Sequence, residues 1–493
     1  MHPSRVPECK RTGKWLSSWP DKSAKASDKA RGIAWMKTRA GASRIHSGAA
    51  QGLPAWDRAR PGTYPMVQVS PVRAPRAHRI VISVDASEAD LGRMARTNPV
   101  KRLSKTVWVL SLVSLFTDMA SEMLYPIMPI YLKQIGFSVL WIGVLEGFAE
   151  ATAGLSKGYF GQRSDRAGKR VPFVQLGYGL SALSKPLLAV SVLPLWIFLV
   201  RWTDRLGKGV RTGARDALLS DEATPATKGT IFGFHRSMDT LGAALGPALA
   251  LLYLAYRPGD YRTLFLIAFA PGLVAVLATG LLKDRPPASV APLAAGPRIT
   301  LFSFARYWKL SSPAYRRLVG GLLAFALLNS SDVFLLLKAK EAGLDDTHVI
   351  GVYIFYNLVY ALLAYPIGSL ADRIGLKRVF LMGLGLFAVV YFGMALGRGL
   401  PLMLGCFALY GVYAAATEGV AKAWISNLAP REELATAIGT FTAFQSLAAL
   451  LASSIAGAIW LGFGAQGALL VTAAGALAVL GYMALRVESP ARG

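Results

Sequence analysis

Ionisable side chains stand inside stretches that are otherwise apolar enough for hydrocarbon, and their spacing is helical. Phe116-Thr117-Asp118-Met-Ala-Ser121-Glu122 sets two carboxylates four residues apart, on one face of a helix. Glu146 and Glu150 repeat that spacing among Gly143, Gly147, Ala149, Ala151 and Gly154, small residues that let a neighbouring helix close in. Arg201, Arg205, Lys208 and Thr212 step by four, three and four and form a single stripe. His235, Arg236 and Asp239 follow, then Asp332 after Asn329-Ser-Ser with Lys338 beyond it, and Glu418 with Lys422 four residues on. An ionisable group in a membrane span costs roughly 2.5–3.5 kcal/mol unless it is paired or faces water. A polar passage is therefore where these groups belong.

Several chemistries fit. Asp118 and Glu122 suit proton exchange or cation binding; each could equally pair with a basic residue of the fourth or fifth helix. Glu146 fits a transport pathway or an interfacial carboxylate. The basic stripe attracts anionic substrate groups, with Arg205 as the direct contact, or it binds the carboxylates of the first helix. Read otherwise, residues 203–222 are a loop on lipid headgroups. Arg236 and Asp239 can pair locally, as can Glu418 and Lys422. His235 can titrate near neutrality or be incidental. Tyr353, Phe355, Tyr356, Tyr360, Tyr365, Tyr410 and Tyr413 line an apolar cavity or simply pack.

Gly207-Lys208-Gly209 lacks the spacing of a phosphate-binding loop and follows no strand. No nucleophile is paired with a base and no metal-ligand spacing occurs, so neither an enzyme nor a cofactor or metal is expected. Cys9 and Cys406 lie far apart in dissimilar contexts, against a disulfide framework.

The elements that hold these residues are membrane helices. With 53% hydrophobic and 17% charged residues and a mean hydropathy of +0.41, the 493-residue chain is not composed like a soluble globular protein. Apolar stretches of roughly 20 residues recur, each long enough to cross a bilayer. Spans are expected near 106–132, 139–161, 171–192, 194–221, 229–255 and 261–282, then near 314–339, 347–371, 377–397, 400–427, 434–460 and 464–486. That makes about twelve by length arithmetic. Residues 1–100 form a disordered basic tail by composition, with Ile80–Val84 an unpartnered strand at most, and translation is expected to start at Met94. The domains expected are a bundle over 104–283, a linker over 284–312 and a second bundle over 313–487.

The formal charge of +26 does not point to nucleic acid, because the basic residues fall in the first hundred positions and then in alternate loops. Lys101, Arg102 and Lys105 precede the first span, and Arg163, Arg166, Lys169 and Arg170 follow the second. Lys283, Arg285, Arg298, Arg306, Lys309, Arg316 and Arg317 lie around the linker, and Arg373, Lys377 and Arg378 after the eighth span. The other loops carry little or mixed charge. Both termini and the linker are accordingly expected in the cytoplasm, in the inner membrane of a bacterial cell.

The two halves repeat one another. Gly161-Gln-Arg-Ser-Asp165-Arg166-Ala-Gly168-Lys169-Arg170 has an echo, Gly368-Ser-Leu-Ala-Asp372-Arg373-Ile-Gly375-Leu-Lys377-Arg378, offset by 207 residues. Both read as a tight polar turn on the basic side of the membrane. Ile142-Gly-Val matches Ile350-Gly-Val, and Gly233 falls opposite Gly439. A doubled pattern of this kind implies a duplicated architecture.

On these residues the chain resembles the major facilitator superfamily over about 104–487. The Gly-x-x-x-Asp-Arg-x-Gly turn is that family's signature, and the second copy fits better than the first, where Gln162 and Arg163 intrude. Arg205 with Gly209 resembles the family's Arg-x-x-x-Gly element. Gly242-Ala-Ala-Leu-Gly246-Pro247 resembles the start of the motif of drug/proton antiporters, although Ala248-Leu-Ala-Leu stands where further glycines are usual.

The resemblance implies an all-α membrane fold of two six-helix bundles that rock about a central site. It implies a conformational latch at Gly161, Asp165, Arg166, Gly168, Gly368, Asp372, Arg373 and Gly375, and a hinge or close packing at Gly242, Gly246 and Pro247. The function expected is secondary transport of a small molecule, first as proton-coupled efflux by antiport. Proton symport of an anionic solute is the alternative, and a transporter-like receptor stands further off. Asp118, Glu122, Glu146, Arg205, Arg236 and Asp239 are the candidates for proton coupling and the substrate pathway. The partners expected are protons, solute and membrane lipid, with no nucleic acid, and the chain is expected to act as a monomer.

Overall fold

A computed structural model of the chain describes residues 103–284, 300, 302–344, 346–397 and 399–488. The tail over 1–100, Met94 with it, the strand at Ile80–Val84 and most of the linker lie outside the described residues. Among the described residues all regular structure is helical. The first bundle comprises α1 (Lys105–Glu122), α2 (Met128–Gln134), α3 (Val139–Ala167), α4 (Val171–Leu188), α5 (Pro194–Asp221), α6 (Lys228–Tyr256) and α7 (Tyr261–Thr279). A short helix α8 (Ala305–Leu310) leads into the second. There stand α9 (Pro313–Ala326), α10 (Val333–Glu341), α11 (Asp346–Ile374), α12 (Leu376–Leu396), α13 (Leu400–Leu428) and α14 (Leu434–Arg486).

Local chemistry sets the starts. The Ser104, Ser138 and Ser312 hydroxyls each accept a hydrogen bond from the backbone N–H three residues on, at 3.2–3.3 Å, so α1, α3 and α9 begin at capped ends. Pro194 and Pro313 open α5 and α9, where a missing N–H costs nothing.

Three expected spans are not single helices. The first, expected over 106–132, breaks between Glu122 and Met128, where Pro126 and Pro129 remove two backbone donors. The seventh, expected over 314–339, breaks between Ala326 and Val333. There Asn329-Ser-Ser-Asp332 offers the backbone side-chain partners, among them Ser331 Oγ accepting from Val333 N at 3.4 Å. The eleventh and twelfth run on as α14 and are separated only by Gly464, with φ 73° and ψ 174°.

The repeated motifs also differ from the expected turn. Gly161 to Arg166 and Gly368 to Arg373 are helical, the last turns of α3 and α11; the chain reverses only at Gly168 (φ 61°) and Gly375 (φ 107°). The remaining spans fall close to expectation, and α5 continues as one helix through the charged stretch that could have been a loop.

By length and composition six helices could cross a membrane: Lys228–Tyr256, Tyr261–Thr279, His348–Ile374, Leu376–Leu396, Leu400–Leu428 and Arg431–Arg486. Outside that set are α1, α3 and α5, which carry the ionisable residues. Their charge lowers their hydropathy, and their place among the apolar helices is what makes them spans.

The bundles meet along two seams: α3 runs beside the first part of α14, and α6 beside α11. The repeat relates the seams. Gly161 lies against Ala435 and Gly439, and Gly368 against Gly229 and Gly233. A methyl group on Gly368 would stand 3.0 Å from the Gly233 Cα, so backbone meets backbone there. A Gly368→Leu substitution should hold the seam apart on the face that carries the repeated turns. The expected outcome is a folded protein, by size-exclusion profile, whose transport falls at least about tenfold and whose cysteines engineered on that face label faster; unchanged labelling would contradict the seam.

Candidate functional site

Between the bundles lies a passage of three adjoining lobes. The lobe nearest the turn face has a volume of about 290 Å³, the middle lobe about 220 Å³ and the far lobe about 370 Å³. Asp118, Lys208, Arg236, Asp239 and Glu418 border both of the first two; Glu122, Lys208, Asp332 and Tyr353 border the middle and far lobes. Charge is segregated along this path. The turn-face lobe is lined by six cationic side chains (Lys157, Lys208, Arg211, Arg215, Arg236, Lys422) against Asp118, Asp239 and Glu418. The middle lobe reverses the balance, with Asp118, Glu122, Asp239, Asp332 and Glu418 against Lys208 and Arg236.

The α5 stripe faces α3, and not the carboxylates of α1. Arg201 pairs with Glu146 through both Nε, at 3.1 Å, and Nη2. Arg205 lies 3.3 Å from Glu150 and 4.0 Å from Glu146. Glu146 is thus a structural partner of the stripe, held away from bulk solvent by α5. Arg201 and Arg205 are both buried, so their pairing with α3 offsets the cost of placing them there.

Asp118 comes close enough to Asp239 for one carboxyl to hydrogen-bond the other. Asp239 accepts from Ser114 and from Arg236 Nη1 at 2.5 Å, the local pairing expected from their spacing. Arg236 also reaches across to Glu418 of α13 and to the Tyr360 hydroxyl of α11 at 2.6 Å. Glu418 and Lys422 do not pair with each other. Lys422 crosses instead to Asp216, 2.8 Å away, which Arg215 holds at 2.9 Å from its own side. His235 is buried on α6 with neither ring nitrogen hydrogen-bonded. Glu122 lies on the next turn of α1, beside Tyr125, Arg205 and Lys208 in the far lobe.

Other participants gave weak signals. Lys185, a single lysine near the end of an apolar helix, reads as interfacial; it is buried, 2.7 Å from Asp204, with Ser121 at 3.2 Å. Arg211 stacks over Tyr178 at 4.6 Å and donates to Ser181 at 2.6 Å. In the second half Asp332 accepts from Tyr356 and Tyr410, each at 2.5 Å, so part of the aromatic group lines the passage through its hydroxyls. Gly242 and Gly246 face the α1 backbone at Leu115–Met123, and Pro247 borders the far lobe.

The repeated aspartates lie at the seams. Asp165 accepts from Thr436 N at 2.6 Å, Thr436 Oγ1 at 2.8 Å and Ala435 N at 3.3 Å. Asp372 accepts from Gly229 N and Thr230 N, both at 2.7 Å, and Thr230 Oγ1 at 2.6 Å. Each aspartate therefore caps the first turn of a helix in the other bundle, α14 or α6, where backbone N–H groups lack partners. Arg166 and Arg373 end their helices beside them, and Gly168 and Gly375 supply the left-handed turns.

The profile of the Major Facilitator Superfamily matches residues 110–355 and 317–493. The chain belongs to the major facilitator superfamily. An uncharacterised MFS-type transporter of Methanocaldococcus jannaschii is 34% identical over 366 residues, covering 73% of this chain and 89% of that one. An uncharacterised protein of Mycobacterium tuberculosis is 27% identical over 360 residues, 72% of this chain and 86% of its own length. Among solved structures the human organic anion transporter MFSD10 superposes with a TM-score of 0.65 at 18% identity, over 78% of this chain and all of that one. FucP in its outward conformation gives 0.59 at 14% identity, again over 78% and 100%. At those identities the likeness speaks for the fold alone. The chain is a multi-pass membrane transporter of that fold.

Removing one partner of the Lys185–Asp204 pair leaves a buried charge without an answer. Lys185→Met should lower stability by about 3–5 kcal/mol, and Lys185→Met with Asp204→Leu should recover most of it. Thermal melts of the purified proteins check this; equal losses in the single and double variants would remove the pair as the cause.

Proposed function

We propose that the chain couples solute movement to protons, with Asp118, Asp239 and Glu122 as the proton-carrying groups. The observation that carries this reading is the approach of Asp118 to Asp239 at the border of the two inner lobes. Two carboxyls that close accommodate one proton between them. Their charge state bears directly on Arg236, which spans from Asp239 to Glu418 and so ties the bundles together. Neutralising Asp239 frees that guanidinium to exchange partners, and exchange of partners between halves is the step that rocking requires.

The geometry favours cotransport of a small organic anion. Protonating the acidic middle lobe leaves the cations of the turn-face lobe uncompensated, so proton and anion each improve the binding of the other. Efflux by antiport is the second reading, supported by Gly242-Ala-Ala-Leu-Gly246-Pro247 on α6. On either reading the chain works as a monomer in the inner membrane with both ends and the turn face in the cytoplasm, the side to which loop charge assigns them. Asp165 and Asp372 then act as the latch that holds this face shut.

In inside-out vesicles carrying a luminal pH dye, external solute should acidify the lumen by cotransport; antiport would alkalinise it. Asp118→Asn and Asp239→Asn should each reduce the pH change at least about tenfold without loss of folded protein. An undiminished signal in both variants would reject the coupling.

A further inference from the structure

Two stripes of side chains face each other across α3 and α5, and their charges match only part of the way. Glu146 stands against Arg201, and Glu150 against Arg205. Further toward the turn face, α3 presents Lys157 and α5 presents Lys208. Both border the turn-face lobe, close enough for their charges to repel. Lys157 donates to Ser446 Oγ at 3.2 Å, a neutral partner. Lys208 has no hydrogen-bond or ion-pair partner among the described residues. The other cations of the lobe are answered. Arg215 and Lys422 share Asp216, Arg236 holds Asp239 and Glu418, and Arg211 is engaged by Tyr178 and Ser181.

From this mismatch we infer that Lys157 and Lys208 form the subsite for a compact oxyanion group, a carboxylate or phosphoryl group carried by the transported solute, which completes the ladder between α3 and α5. This rests on the reading of the passage as a solute pathway and names the part of it that recognises charge. Thr212, Thr442 and Gln445 border the same lobe and supply hydroxyl and amide donors around the two ammonium groups. The volume of about 290 Å³ limits the solute end held there to a small organic acid or phosphate ester. Arg205, the sequence's first candidate for this contact, is already committed to Glu150. Lysine is suited to the task, as a mobile point charge that can release the group again when the passage turns.

The test uses the purified full-length protein in detergent, with inorganic phosphate and succinate as probes against chloride at matched ionic strength. A saturable rise in melting temperature with at least one of them is expected for the unaltered protein. Lys157→Gln and Lys208→Gln should each weaken that response about tenfold, Lys208→Arg should keep it, and the double glutamine variant should lose it. Lys208→Glu should place an internal anion on the third rung, raising the melting temperature without probe and abolishing the response. No saturable shift with either probe, or the same shift in the glutamine variants, overturns the subsite. A Lys208→Glu protein no more stable than the original also overturns it. Solute-driven pH changes report separately on coupling: anion binding without them leaves the subsite standing and removes the coupling, and the converse result does the opposite.

Discussion

Charge placed in an apolar interior must be answered by charge from another helix, and the arrangement of both bundles follows from that requirement. α1, α3 and α5 carry ionisable groups that would weigh against their insertion as isolated spans. Packed together they answer one another: Glu146 with Arg201, Glu150 with Arg205, Asp204 with Lys185. Pairs of this kind add little net stability over an apolar core, but they penalise every misregistered packing in which one member is left alone. The first bundle is thereby fixed in register by its charges, while the second is held mainly by aromatic and aliphatic packing around residues such as Trp424, Phe387 and Tyr391.

That asymmetry is overlaid on a symmetric frame. The seams α3–α14 and α6–α11 are copies of one contact, made by glycines that the repeat places in equivalent positions. Between them the passage is not symmetric. Its cations come mostly from α5 and its hydroxyls from Tyr356, Tyr360 and Tyr410 of the second bundle. One half brings charge, the other a wall of polar aromatics, and Arg236 touches both.

Much of the frame was legible from the chain itself, because duplication leaves a fixed offset and span length follows from bilayer thickness. The stripe of Arg201, Arg205, Lys208 and Thr212 was legible too, since helical spacing alone puts it on one face. Its partners were not. Whether α5 turns that face to α1 or to α3 depends on how the helices rotate against each other, and local spacing is silent on rotation. The same holds for Glu418 and Lys422: their spacing allows a pair along α13, but Arg236 and Asp216 lie nearer to hand across the interface. The breaks after Glu122 and Ala326 were missed because apolar residues continue through them, and hydropathy does not register a lost backbone donor. Lys185 was passed over because one lysine at a helix end has a cheaper explanation than burial.

The capping of α6 and α14 by aspartates from the opposite bundle carries a further meaning. Neither bundle owns a complete set of helix ends; each lends a carboxylate and borrows one. Parting at that face strips two helix starts at once, and a cap is worth about 0.5–2 kcal/mol, so the resting preference for the closed arrangement includes a contribution on the order of 1–4 kcal/mol. Whatever binds in the passage has to favour the parted form by at least that margin before the protein will turn over, which makes two surface-side carboxylates a threshold on how weakly a useful cargo can hold.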